Sequence, residues 1–259
     1  MSSSDTQAAV AEQLTAHDHL ALCLDFDGTL APIVSDPTEA ELPAKTQELL
    51  SQLAEQPSVD LAVISGRALA DIRSRVGVDG IEYAGNHGLE VDRGDEVWVH
   101  PVVERHRDAL AGVLDEIEPK VESISGCLIE DKYATAAVHL RRIGTDDSSH
   151  VIAHVQAVVD SVEPISMHVD NETIELRPAI DHGKGEAIER IVDTAPETLV
   201  IYLGDAQTDV DAFRTLDEMD DETVQIAVGS DLPATGHRLD SPEDVQEFLQ
   251  WLVVELDGE

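Results

Sequence analysis

With 259 residues, 54 of them Asp or Glu against 16 Lys or Arg, the chain carries a formal charge of −38 at pH 7, far beyond the roughly 2 to 8 units usual for a small domain. No broad basic stripe can be built from this composition, which excludes a general nucleic-acid binder and an anionic membrane surface as partner. Few aromatics would suit disorder, but 42% hydrophobic residues in well-defined apolar runs specify a folded soluble protein whose acidic surface suits a salty cytoplasm.

In chain order, the N-terminal stretch up to Leu24 has no basic region ahead of its apolar part, and no run reaches the roughly 18 to 20 apolar residues of a membrane span. The two cysteines, Cys23 and Cys127, lie far apart and read as reduced thiols, so the expected compartment is cytoplasmic. Short apolar runs then stop abruptly at polar clusters. "LALCL" (20–24) meets Asp25, "LAVI" (61–64) meets Ser65, and "IEYAG" (81–85) meets Asn86 and His87. Later, "TLVIYLG" (198–204) meets Asp205, and "VQIAVG" (224–229) meets Ser230 and Asp231. Runs of this kind suit strands buried on both faces of a parallel sheet. Helical patterns at 45–56, 68–76, 185–192 and 209–216 alternate with them, which gives a doubly wound α/β core. Ligands in such sheets bind beyond the carboxyl ends of the strands, where these polar clusters fall.

Residues 101–177 follow another rhythm, α-β-β-α-β-β, and read as a smaller α+β unit inserted into the core. A proline marks each connection, Pro101 and Pro178, as hinges between rigid units often do. The expected domains are therefore 1–100 with 178–259, and 101–177.

A D-x-D in so acidic a chain is by itself a solvated loop. Asp25 and Asp27, however, directly follow a wholly apolar strand, with Gly28 and Thr29 making the turn. Strand alternation would turn both carboxylates to one site. Two close carboxylates repel unless a cation or proton lies between them, and a hard divalent ion such as Mg²⁺ meets that need.

Together, "DFDGT" (25–29), "SGR" (65–67), the lysine of "HGKGEA" at 184 and "GDAQTD" (204–209) resemble the four motifs of haloacid dehalogenase (HAD) phosphatases. That resemblance implies a HAD-type core with an inserted cap. It makes Asp25 the nucleophile that forms an aspartyl-phosphate, and Asp27 the acid and later the base. Ser65 and Lys184 would hold the phosphoryl oxygens, although a surface lysine is the other reading of Lys184. Mg²⁺ would be held by the carboxylates of Asp25 and Asp205 and by the main-chain carbonyl of Asp27. Asp209 would orient Lys184 or a metal-bound water.

"AGNHGLE" (84–90), "IEDKYATAAVHLR" (129–141), "ELRP" (175–178) and "GDAQTDVDAF" (204–213) are similar to the trehalose-6-phosphate phosphatase family within that superfamily. The resemblance runs over about residues 19 to 229. It implies that Glu130, Lys132 and Glu175 grip sugar hydroxyls, where the alternative is a cross-strand surface ion pair. Arg67 is assigned to the substrate, with an ion pair in the core as its other reading. Asn86 and His87 are assigned to the substrate at the junction of core and insertion, with His87 a structural histidine in the other reading.

The family usually reads GDD-x-TDED where this chain has Ala206 and Val210, which puts the metal surroundings in question. The expected activity is Mg²⁺-dependent hydrolysis of trehalose 6-phosphate by a monomeric, halophilic enzyme whose partner is a small phosphorylated sugar. Phosphatases of sucrose phosphate or of glucosyl- or mannosyl-phosphoglycerate would share this framework, and a catalytically silent sugar-phosphate sensor is the rival from another class.

Overall fold

The computed structural model describes residues 3–258 apart from 35, 171, 193–197, 230, 231 and 233–235. The sequence cluster at Ser230 and Asp231 therefore lies outside the described residues. Contacts divide the chain into two compact units, Met1–Trp98 with His182–Glu259, and Val99–Asp181.

The first unit opens with α1 (Ser3–Leu14), β1 (His19–Asp25), a 3₁₀ turn at Pro37–Glu39, α2 (Ala44–Ala54), β2 (Val59–Ile64), α3 (Leu69–Val76), β3 (Glu82–Gly85), β4 (Glu90–Asp92) and β5 (Val97–Val99). The second unit holds α4 (Pro101–Glu122), β6 (Leu128–Asp131), β7 (Ala136–His139), α5 (Thr145–Val159), β8 (Ile165–Asp170) and β9 (Thr173–Pro178). The first unit then resumes with α6 (Lys184–Ile191), β10 (Thr198–Gly204), α7 (Asp209–Glu218), β11 (Glu222–Val228), β12 (His237–Leu239) and α8 (Pro242–Asp257). Among the described residues, no helix is long and apolar enough to cross a membrane.

The sheet of the first unit runs β12-β11-β10-β1-β2-β3-β4-β5. Strands β12 to β3 are parallel, while β4 pairs antiparallel with β3. Only Asn86 to Leu89 separate those last two strands, too few for the crossover that a parallel pair requires. The sheet is thus mixed at this edge. Alternation on β1 divides the core: Leu20, Leu22 and Leu24 pack with Leu49 and Leu53 of α2, Ile72 of α3 and Phe248 of α8. Ala21 and Cys23 pack on the opposite side with Ile188 of α6 and Phe213 and Leu216 of α7.

The second unit is an antiparallel sheet, β6-β7-β9-β8. Val138, Ile174 and Leu176 on one face pack under Leu110, Val113 and Ile117 of α4 and Val151 and Val155 of α5. Directly paired residues share a face, so Glu130, Ala137, Glu175 and His168 form a row across all four strands, on the face turned away from α4 and α5.

Candidate active site

The chain runs from β1 to β2 and β3 on one side, then returns after the second unit to β10 on the other. The carboxyl ends of β1 and β10 therefore flank a topological switch point, where open α/β sheets bind ligands. Asp25 ends β1 with the same parity as Ala21 and Cys23, so it faces α6 and α7. From there Lys184, the first residue of α6, and Asp209, the first of α7, reach it.

Lys184 Nζ donates to Asp25 Oδ1 and to Asp209 Oδ1, both at 2.6 Å. All three side chains are buried, which removes the surface reading of Lys184. Asp209 Oδ2 accepts from the Ala206 amide at 2.8 Å, and Gly185 N donates to Asp211 Oδ2 at 3.1 Å. Helix α7 thus holds α6 at both the lysine tip and the backbone. Burial pushes the Asp25 carboxyl well above the usual range; Lys184 pulls it back, while Asp209 and Asp205 push it further up. Burial acts to lower the Lys184 ammonium, but Asp209 and Asp25 outweigh it and hold the group charged. Two acids share one lysine in a dry pocket, so a further cation is electrostatically favoured.

Carboxylate oxygens of Asp25, Asp205 and Asp209 lie within 4.8 Å of one another. Both Asp209 oxygens are already engaged, whereas Asp205 Oδ1 is buried with no hydrogen-bond partner among the described residues. Gly28, at φ +85°, allows the turn to approach Asp205 so closely that a Cβ there would overlap its carboxylate. Burial and then Asp209 raise Asp205 to about 6 against the opposing pull of Lys184. An orphaned buried oxygen and an oxygen-only donor set fit a hard divalent cation. Asp25 and Asp205 are the side chains with capacity for it, and Asp209 is committed to Lys184.

The departures at 206 and 210 are accommodated. The donor at 206 is the backbone amide, which Ala supplies as well as Asp, and Val210 packs against the apolar cluster of α6 and α7.

Asp27 does not join the carboxylate group. Strand β1 ends at Asp25, so alternation does not extend to Asp27. Its two oxygens take a fork from Arg67, Nε at 2.7 Å and Nη2 at 2.6 Å. Arg67 also donates to Asp71 at 3.0 Å and to the Pro37 carbonyl at 3.1 Å. Ser65 is buried, and its Oγ accepts from the Arg67 amide at 3.1 Å. Beside it, Asn86 and His87 both adopt left-handed backbone, φ 50° and 56°, a conformation costly for a residue with a side chain. The turn is held by Asn86 N donating to the Arg67 carbonyl at 2.7 Å and His87 N to the Ser65 carbonyl at 3.0 Å. The His87 ring lies so close over Gly66 that a Cβ there would collide with it.

In the second unit, Glu130 Oε2 pairs with His139 Nε2 at 2.9 Å, which assigns His139 to the Glu130 face. Lys132 lies past the end of β6, in a turn where its amide donates to the Thr135 carbonyl at 2.9 Å. Glu175 shares its row with Glu130, separated by the small Ala137.

Sequence reasoning passed over Tyr202, whose hydroxyl donates to Asp209 Oδ1 at 2.6 Å, and Asp211, which holds the Gly185 amide. The available signals were a tyrosine in an otherwise apolar strand and the second acid of "DVD".

The trehalose-phosphatase family model matches residues 23–238. The trehalose-phosphate phosphatase of Mycobacterium marinum is 35% identical over 253 residues, covering 91% of this chain and 62% of that one; the chain thus spans less than two thirds of the length of such curated relatives. The C-terminal domain of a C. albicans trehalose-6-phosphate phosphatase superposes with a TM-score of 0.81 at 25% identity, covering 96% of each chain. At 13% identity, the C-terminal domain of a Candida albicans trehalose synthase regulatory protein shares the fold alone, with a TM-score of 0.71 over 94% of this chain and 97% of that one. At 15% identity, a HAD subclass IIB sugar phosphatase likewise shares the fold alone, with a TM-score of 0.53 over 90% of this chain and 99% of that one. By sequence match and fold together, the chain belongs to the trehalose-phosphatase family.

Proposed function

We propose that this chain hydrolyses trehalose 6-phosphate to trehalose and phosphate through an aspartyl-phosphate, with Mg²⁺ as cofactor. The carrying observation is the buried Asp25–Lys184–Asp209 group at the switch point, in a member of the trehalose-phosphatase family. The Asp25 Oδ that does not accept from Lys184 attacks phosphorus, the bond from phosphorus to the sugar oxygen breaks, and that oxygen takes a proton from Asp27. Water then attacks phosphorus and gives its proton to Asp27, and the bond from Asp25 to phosphorus breaks to release phosphate.

Asp27 must first leave the Arg67 fork, because both of its oxygens accept from the guanidinium and neither is turned to the leaving group while they do. Arg67 is then available to the substrate. Ser65 and Lys184 hold the phosphoryl oxygens, with Asn86 and His87 shaping the adjoining turn and contacting the substrate. A Mg²⁺ ion held by Asp25, Asp205 and the Asp27 carbonyl would offset charge on the carboxylates and the phosphoryl group. Glu130, Lys132 and Glu175 read the sugar hydroxyls from the second unit, which acts as the substrate-recognising cap. We further propose a monomeric cytoplasmic enzyme adapted to high salt.

Phosphate release from trehalose 6-phosphate, glucose 6-phosphate, sucrose phosphate and glucosyl- and mannosyl-phosphoglycerate tests this reading, with and without Mg²⁺ and at several salt concentrations. Fastest turnover of trehalose 6-phosphate, dependent on Mg²⁺ and rising with salt, is expected; equal rates on glucose 6-phosphate would sink the substrate assignment. A silent sensor is the second reading, suggested by the regulatory protein of like fold. Tight binding of trehalose 6-phosphate without phosphate release would decide for it.

A further inference from the structure

Tyr202 heads the largest fully buried side chains of the protein. Its ring packs edge-on against Phe213, with centroids 5.7 Å apart and an angle of 78°, a contact that phenylalanine would make equally well. The hydroxyl is therefore the part that requires explanation, since a buried phenol must find an acceptor. It donates to Asp209 Oδ1 at 2.6 Å, the same oxygen that receives Lys184 at 2.6 Å. Lys184 is at once 2.6 Å from Asp25. Burial, then Asp209 and Asp25, hold the phenol well above its ordinary range, so it stays a donor.

Asp209 is shut off from water, and whatever charge its hydrogen-bond donors do not spread draws the ammonium toward it. A second donor on Oδ1 divides that charge and leaves Lys184 evenly shared. We infer that Tyr202 is a positioning residue: through Asp209 Oδ1 it sets how Lys184 is divided between Asp209 and the phosphoryl-accepting Asp25. This inference rests on the phosphatase reading above.

The test is Tyr202→Phe, assayed on p-nitrophenyl phosphate as well as on sugar phosphates, so that the sugar assignment can fail alone. Loss of a hydrogen bond to a buried charge predicts a kcat lower by about tenfold with KM changed less than about twofold. Adding back a donor with 4-aminophenylalanine at this position is expected to restore most of kcat. A packing role would lower only Tm, so an unchanged kcat in Tyr202→Phe overturns the inference whatever happens to Tm. Should the phenylalanine variant fail to fold, chains with 4-aminophenylalanine and 4-methylphenylalanine fill the volume with and without a donor, and equal kcat values overturn it. A wild-type chain inert toward every phosphomonoester ends both readings; an active wild type with an unaffected variant ends this one alone.

Discussion

At the end of β1, Asp25 is 4% exposed and shares one lysine with Asp209, which is fully buried. On the sheet of the second unit, Glu130 keeps 39% of its side chain exposed and pairs with His139. The first arrangement draws on the ends of β1 and β10 and the starts of α6 and α7, so four elements must be in register before its polar groups are satisfied. The second is a row of side chains across adjacent strands, each carried by its own backbone. Buried charges held this way are over-determined and sensitive, because removing one partner strands another in a dry site. Half-exposed carboxylates are forgiving in stability and remain free to rearrange around a polar ligand.

Asp25→Asn perturbs the buried site most severely. The amide fills the same space, its oxygen still accepts from Lys184, and one of the crowded negative charges disappears. Turnover should fall by roughly 10⁴-fold or more, as expected for loss of a nucleophile, while the metal-free protein melts no lower than wild type. Appreciable residual activity would refute the covalent route, and a variant that unfolds would mean that the Asp25 charge is structural.

Metal and pH probe the same crowding. Asp205 has a folded value of about 6 against an ordinary 3.8. Its protonated form therefore favours the folded state, a contribution fully present below 3.8 and lost as pH rises through 6. The loss is on the order of 3 kcal/mol for the metal-free protein. A divalent ion replaces the proton, so Mg²⁺ should raise Tm clearly at pH 7.5 and much less at pH 5. An equal or larger rise at pH 5 would contradict a carboxylate-lined site.

Much of the core was legible because strands such as "LALCL" and "TLVIYLG" are apolar throughout and stop at chemistry. The short β4, β5 and β12 carry no period long enough to recognise, and pairing with neighbours alone makes them strands. Helix α8 was readable and overlooked: Ser241 caps it through the Asp244 amide, Pro242 opens it, and Val245, Phe248, Leu249 and Leu252 are its buried stripe. The site divides along similar lines. Asp25, Lys184 and Asp205 stand in motifs at element ends, where position itself is informative. That Asp27 is held by Arg67, 40 residues away, or that Tyr202 serves Asp209, depends on side-chain directions across separate elements, which no local pattern encodes.

Substitutions on the sheet of the second unit should act more mildly. Glutamine at position 175 or 130 keeps the shape and one acceptor but removes the charge that would receive sugar hydroxyls. A hydrogen bond to a charged group lost in this way raises KM by about tenfold, with kcat within about twofold and stability within about 0.5 kcal/mol. A fall in kcat at constant KM would instead implicate these carboxylates in chemistry. Glu130 and Glu175 lie two strands apart in one row, roughly 10 Å at ordinary strand spacing. At that separation the two effects should multiply to about 100-fold in Glu130→Gln with Glu175→Gln. A double variant no worse than either single one would show that both carboxylates grip the same hydroxyls, and the sheet face would then be as interdependent as the buried site.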